Sequence, residues 1–288
     1  MLTLLDKIER CSQNLAVEFL MAFTDSKQRF SSRVADYVRY RPGYPHEALT
    51  LLKNECRLSS GHVIADIGSG TGFLSELFLT NGNRVYGIEP NKEMRAAGEE
   101  YLAAYDSFGS IDASAEVTTL EDTTIDFVTA GQAFHWFDAA AARREFARIL
   151  KPEGWVVVMW NDREMNSAFA TAYEDLLVKF GTDYQRVRAS YPELDAMRDF
   201  FAGGSVEERT VPNAQILDWD GLVGRLRSSS YAPLEGQPNY APMMAALDEL
   251  FRANQVDGRV KMEYMTHVYY GRLPKQNQRV EVKDRNGE

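Results

Sequence analysis

The chain has 288 residues, 44% of them hydrophobic, and a formal net charge of −10. That is enough apolar material for one full core, or a core plus a cap, and the wrong sign for a nucleic-acid binder, since no basic cluster interleaved with aromatics offsets it. Only Cys11 and Cys56 are present, neither with ligand spacing to a histidine, and no apolar run approaches the ~20 residues that span a bilayer; the expectation is a cytoplasmic protein without disulfide framework, structural metal or membrane partner.

The first segment, Met1 to Thr24, places Leu4, Leu5, Ile8, Leu15, Phe19 and Leu20 at roughly helical intervals and reads as an amphipathic extension. Asp6, Glu9 and Glu18 interrupt it in a way that argues against a signal peptide. Residues 25–45 are dense in Tyr and Arg and close on Pro42 and Pro45, which impose a turn. Two readings stay open there: a helix with a solvated charged face, or a flap over an active site, because Tyr and Arg combine apolar contact with fixed hydrogen-bond donors. His46 to Cys56 is expected to be helical.

Val63 to Ile67 has the short β-rich apolar run of an inner parallel strand, and Gly68, Gly70 and Gly72 let the chain reverse without side chains in the way. Phe73 to Leu79 has helical spacing, so the first amides of that helix point back over the turn and offer free N–H donors to something anionic or hydroxyl-rich. No Lys-Ser/Thr pair follows, which excludes a Walker loop, and the third glycine stands one position early for the dinucleotide fingerprint. A second strand, Arg84 to Ile88, ends in Glu89, where a carboxylate can accept both hydroxyls of a ribose. An ordinary tight turn is the plain alternative, but Asp66 before the glycines and Glu89 after them together describe a nucleoside site.

Asn91 to Tyr105 should be the next helix, and Gly109 to Glu116 the exit of a third strand, where small residues leave room for a flat ring and an acid can accept from an exocyclic amine. Thr124 to Ala130 reads as the fourth strand and runs into Gly131 to Asp138, a polar and aromatic cluster at the carboxyl end of the sheet, where ligands of open α/β folds bind. His135 within it is either a structural residue or a base. Phe137 to Leu150 should be helical, Lys151 to Gly154 a turn, and Trp155 to Trp160 a central fifth strand. From Arg163 to Tyr240 helices alternate with loops, including an aromatic-rich stretch, Tyr173 to Phe201, suited to a lid. Ala241 to Phe251 is a further helix, Lys261 to Tyr270 a last strand returning to the sheet, and the polar residues after Leu273 a flexible tail.

Asp66 to Gly72, followed by Gly87-Ile88-Glu89-Pro90, resembles motifs I and post-I of the class I S-adenosylmethionine-dependent methyltransferases. The run from Arg29-Phe30-Ser31 to Arg41-Pro42-Gly43-Tyr44-Pro45, and the stretch Gln132 to Trp136, resemble a subgroup of small-molecule methyltransferases related to trans-aconitate methyltransferase. The resemblance implies an α/β fold: a seven-stranded Rossmann-like sheet with helices on both faces and an inserted helical cap. The implied layout is an extension over 1–24, a cofactor-binding core with its flap over 25–162, a cap over 163–250, a returning strand over 251–273 and a tail over 274–288.

By the same resemblance the cofactor is S-adenosyl-L-methionine, held by Asp66, Gly68, Ser69, Gly70, Thr71 and Gly72, with Glu89 and Pro90 at the ribose, Met94, Ala115 and Glu116 around the adenine, and Gln132 beside them. The acceptor is a small molecule met by Tyr37, Trp136, Arg227 and Tyr231, and the arginines Arg33, Arg41 and Arg227 suit a carboxylic acid; Arg41 alternatively holds the cofactor's own carboxylate or a surface acid. His135 would matter as a base only for a proton-bearing acceptor. Two rivals remain. A nicotinamide-dependent oxidoreductase is disfavoured by Phe73 and by the lack of a Tyr-x-x-x-Lys pair, whereas a non-catalytic nucleoside-binding module is compatible with the same residues.

Overall fold

Strands β1 (Val63–Ile67), β2 (Arg84–Ile88), β3 (Phe108–Ile111), β4 (Ile125–Gly131), β5 (Leu150–Arg163), β6 (Ser205–Leu217) and β7 (Val260–Arg272) form one sheet in the order β3-β2-β1-β4-β5-β7-β6. This computed structural model describes residues 33–189, 194–201 and 204–274; the expected extension over 1–24, the start of the flap and the tail beyond 274 lie outside them. β1 pairs in parallel with β2 and β4, β2 with β3 and β4 with β5, while β7 is antiparallel to both β5 and β6. The chain reverses its order between β1 and β4, so the crevice beyond their carboxyl ends is the topological switch point where such sheets take ligands.

The sheet is covered on both faces because its strands are apolar on both. One layer joins Leu52 and Phe78 to Ile64, Phe127 and Val157; the other packs Phe146, Ile149 and Phe200 on Ile67, Val128 and Val158. A third cluster forms the cap, in which Tyr173, Leu177, Leu222, Leu226 and Leu247 from three helices close over Tyr264 and Met262 at the start of β7.

Several boundaries differ from the expectations. The helix after Glu89 covers only Lys92–Tyr101, its start fixed by Asn91, whose side chain accepts from the Met94 amide. β5 begins at Leu150 rather than Trp155, because Lys151 to Gly154 bulge out between the pairs Ile125–Leu150 and Phe127–Trp155 instead of ending a helix. A whole strand, β6, lies in the region read as helices and loops. It is the sheet's edge, with only Val211 and Leu217 buried and Pro212 tolerated in mid-strand, so it lacks the apolar alternation that marks an inner strand. Of the described residues in the stretch Tyr173 to Phe201, Tyr173 and Tyr184 are core of the cap, and Phe200 and Phe201 pack with Phe134 and Phe146 in the second layer of the sheet.

Candidate active site

The glycine turn is built as its sequence requires. Gly68, Gly70 and Gly72 have φ of +66°, +56° and +93°, and the Gly68 and Ser69 amides both donate to the Ile88 carbonyl, at 2.8 and 3.1 Å, binding the turn to the end of β2. A Cβ on Gly68 would lie 2.6 Å from Ala133 Cβ, and one on Gly72 would lie 2.6 Å from Leu102. The helix Phe73–Thr80 starts directly after the turn, with Gly72 as its cap.

Two cavities meet over this turn, with about 750 and 810 Å³ of empty space. The apolar one is walled by Pro90, Met94, Ala115, Trp136 and Phe137, with Glu89 and Glu116 as its acids. Each acid is oriented by backbone: Glu89 accepts from the Gly70 amide at 3.0 Å and the Asn91 amide at 2.8 Å, and Glu116 accepts from the Asp138 amide at 3.0 Å. The polar cavity is walled by Arg41, Tyr44, Asp66, Ser69, Thr71, Asn161, Asp162, Arg163, Arg225, Tyr231 and Tyr264. Tyr37, Gly68, Gly70, Gly131 and Gln132 line both.

The roof over this junction is the short helix α1 (Val34–Tyr40). Arg33, buried at its start, donates to the carbonyls of Arg227, Ser229 and Ala232, and Tyr40 lies so close to Gly224 that a Cβ there would meet its ring at 2.0 Å. At the other end of the roof Arg41 stacks over Tyr37, 4.9 Å from the ring centroid, and donates to the Ser228 carbonyl at 3.0 Å.

Of the three arginines expected at the acceptor, only Arg41 lines the polar cavity. Arg227 is half exposed, lines neither cavity, and lies 3.5 Å from Asp36; Arg33 is spent on carbonyls. Their place is taken by Arg163 and Arg225. Arg225 is buried among neutral partners, donating to Tyr264 Oη at 3.1 Å and Ser229 Oγ at 3.0 Å, and Arg163 donates to Glu174 at 2.6 Å while its Nη1 is buried without a partner. Burial alone would push the Tyr231 phenol up, but the guanidiniums of Arg163, Arg225 and Arg41 outweigh it and hold it below the usual tyrosine value.

Asp66 is wholly buried beneath the turn, accepting from Ser75 Oγ at 2.7 Å and Thr129 Oγ1 at 3.2 Å. Burial overrides those bonds and raises its carboxyl to about 7. A folded-state value above the unfolded one means that Asp66 stabilises the fold fully below about pH 4 and that this contribution, on the order of 4 kcal/mol, is lost as pH rises through about 7. Asn has no such dependence, so the melting temperature of Asp66→Asn is expected to gain on wild type between pH 4 and pH 8. A difference that stays constant over that range would show that the Asp66 carboxyl is already ionised in the fold.

His135 lies in the 3₁₀ turn Phe134–Trp136, against Trp136 and Trp160 at 4.4 and 5.2 Å, and lines neither cavity. Burial lowers it to about 4, so the ring is neutral and a weak base at physiological pH. Among the expected site residues the structure thus brings together Tyr37, Arg41, Asp66, Gly68, Ser69, Gly70, Thr71, Glu89, Pro90, Met94, Ala115, Glu116, Gln132, Trp136 and Tyr231 around the two cavities, and leaves Gly72, His135 and Arg227 outside them. Tyr44, Asn161, Asp162, Arg163, Arg225 and Tyr264 were not anticipated. Asn161 to Arg163 stand where β5 ends, a position that the rule of ligand sites beyond strand carboxyl ends would have singled out.

Residues 65–158 match the family model described as a methyltransferase domain. An uncharacterized methyltransferase of Mycobacterium tuberculosis is 32% identical over 169 residues, a match that spans 59% of this chain and 66% of the mycobacterial protein. A methyltransferase-like protein of Schizosaccharomyces pombe is 28% identical over 245 residues, covering 83% of this chain and 93% of its own. The structure of phosphoethanolamine N-methyltransferase 2 from Haemonchus contortus, in complex with phosphomonomethylethanolamine and S-adenosylhomocysteine, is similar with a TM-score of 0.53 at 16% identity, covering 88% of this chain and 59% of that one. The sheet described above has the Rossmann-like arrangement of that methyltransferase fold.

Proposed function

We propose that this chain, whose core carries a methyltransferase domain on the class I fold, is an S-adenosylmethionine-dependent methyltransferase that acts in the cytoplasm on a small carboxylic acid. The observation that carries the reading is the pair of cavities joined over the glycine turn. The apolar one, with Glu89 and Glu116, fits an adenosine, and the polar one fits its amino-acid tail with room beyond for an anion. Thr71 Oγ1, buried without a partner in the polar cavity, is a group that such a tail would satisfy.

Bound S-adenosylmethionine supplies a methyl group made electrophilic by its sulfonium. A carboxylate acceptor held beside it would need no proton removed, so the residues of the polar cavity would have only to bind and orient it. The protein's part is alignment, a proximity effect that in well-oriented systems is worth on the order of 7–11 kcal/mol. An acid acceptor is supported by three arginines lining the polar cavity against two aspartates, one of them held largely protonated below pH 7, and agrees with the likeness of the flap to trans-aconitate methyltransferase-like enzymes. Arg is the side chain that holds a carboxylate in two parallel bonds.

The test is calorimetry with S-adenosylmethionine, S-adenosylhomocysteine and NAD, followed by a mass-shift screen of acids, amines and phenols. The expected result is binding of the first two ligands, none of NAD, and a gain of one methyl group on carboxylic acids alone. His135→Ala is expected to keep at least about a tenth of the turnover, since a lost general base would cost ~10²–10⁴-fold. Tight NAD binding would return the oxidoreductase, and cofactor binding without transfer to any acceptor class would return the non-catalytic module.

A further inference from the structure

Gln132 directly follows β4 with φ of +55°, a left-handed conformation that glycine adopts freely and glutamine only under strain. Non-glycine residues in that region mark places where the surrounding structure enforces an unusual backbone, and such places cluster at functional sites. What enforces this one is visible on both sides of the residue. The Gln132 amide donates to the Met159 carbonyl at 3.1 Å, and the Asn161 amide donates to the Gln132 side chain at 2.8 Å. A backbone N–H has only a hydrogen to give, so the atom facing Asn161 is the side-chain oxygen and the NH₂ end of Gln132 is turned away from it. Asn161 is itself held by Thr266 Oγ1 at 2.5 Å, by Asn213 at 3.3 Å and by its own bond to the Gly43 carbonyl at 3.2 Å. Because Gln132 lines both cavities, this oriented amide stands where the nucleoside side meets the arginine side.

We propose that Gln132 is a specificity-determining residue for the acceptor: its Nε2 donates to one oxygen of the acceptor carboxylate, leaving the other to attack the methyl carbon. The inference rests on the acidic-acceptor reading above and adds to it the group that orients the carboxylate. The attacking oxygen forms the new carbon–oxygen bond, the carbon–sulfur bond breaks toward sulfur, and the hydrogen bond from Gln132 is kept throughout. The NH₂ end suits a carboxylate, whereas the acceptor oxygen that an ammonium would need is already turned to the Asn161 amide, so discrimination follows from how the side chain is held.

Gln132→Glu tests the idea, since it keeps the shape and an oxygen for the Asn161 amide while replacing the donor with a negative oxygen. Gln132→Met, which removes both polar functions, is the second variant. The probes are benzoate, propionate and n-butylamine titrated by calorimetry into protein saturated with S-adenosylhomocysteine. Wild type is expected to bind the carboxylates and not the amine. With S-adenosylhomocysteine kept saturating for each protein, Gln132→Glu should bind benzoate at least about 30-fold more weakly and Gln132→Met about 10-fold. In ¹⁵N spectra, the side-chain amide pair absent from both variants should shift on benzoate titration. Equal benzoate affinity in wild type and Gln132→Glu would overturn the role of Gln132 and leave the acidic acceptor standing. Failure of either carboxylate to bind the loaded wild-type protein would overturn the acidic acceptor itself, and this inference with it.

Discussion

Gly70→Val is expected to lower affinity for S-adenosylhomocysteine by at least about 100-fold while leaving the protein folded. Two effects act together. At φ of +56° a β-branched residue is strained by ~1–2 kcal/mol, and its Cβ alone would come within 3.3 Å of Met94 Cε, so the two further methyl groups must enter the junction of the cavities. Gly70→Ala separates the effects, because it carries the strain with far less filling, and is expected to lose about 10-fold. Glu89→Ala should lose a similar factor by another route. The carboxylate that would accept from the ribose also holds the Gly70 and Asn91 amides, so its removal costs the ligand contact and loosens the turn. Wild-type affinity in both Gly70→Val and Glu89→Ala, measured by calorimetry, would overturn the cofactor site.

Arg225→Met is expected to reduce kcat/KM for a carboxylic acid acceptor by roughly 30- to 5,000-fold, with affinity for S-adenosylhomocysteine nearly unchanged. The range is that found when one partner of a buried, hydrogen-bonded charge pair is truncated, about 2–5 kcal/mol. Arg225 qualifies because it is buried, lines the polar cavity, and among the described residues has only the uncharged Tyr264 and Ser229 as hydrogen-bond partners. Arg227→Ala is the matched control: the same helix, a half-exposed guanidinium beside Asp36, and an expected change within about 2-fold. If Arg227→Ala proved the more damaging of the two, the acceptor would have to lie on the outer face of the cap helix and the polar cavity would serve the cofactor alone.

That pair also shows where sequence reading succeeds and where it stops. The glycine turn and Glu89 were legible because each is a local device: positive φ demands glycine, and an acid at the end of the second strand stands a fixed distance from the turn. Arg225 and Arg227 are two positions apart on the helix Trp219–Arg227 and therefore on different faces. The buried face carries Leu222, Arg225 and Leu226, a period that was there to be counted, but an arginine among leucines reads as a solvated residue until the tyrosine and serine that receive it are in view. β6 was missed for a related reason. An edge strand keeps one side in water, so its sequence, Ser205 to Leu217, carries charge where inner strands carry valine. His135 was overvalued because the aromatic company that suggested a site in fact encloses the ring and removes its basicity.

The roof helix gives turnover a traffic rule. Tyr37 lies over the junction of both cavities, and α1, which carries it, is fastened at one end by Arg33 and at the other by Arg41. Any movement of α1 away from that junction therefore has to break the bonds that Arg33 or Arg41 makes to the carbonyls beneath it. In enzymes whose cover must open for exchange, that opening and not the bond-making step often limits turnover. Of that pair of anchors, removing the Arg33 guanidinium would leave Arg41 alone to fasten α1 over the junction.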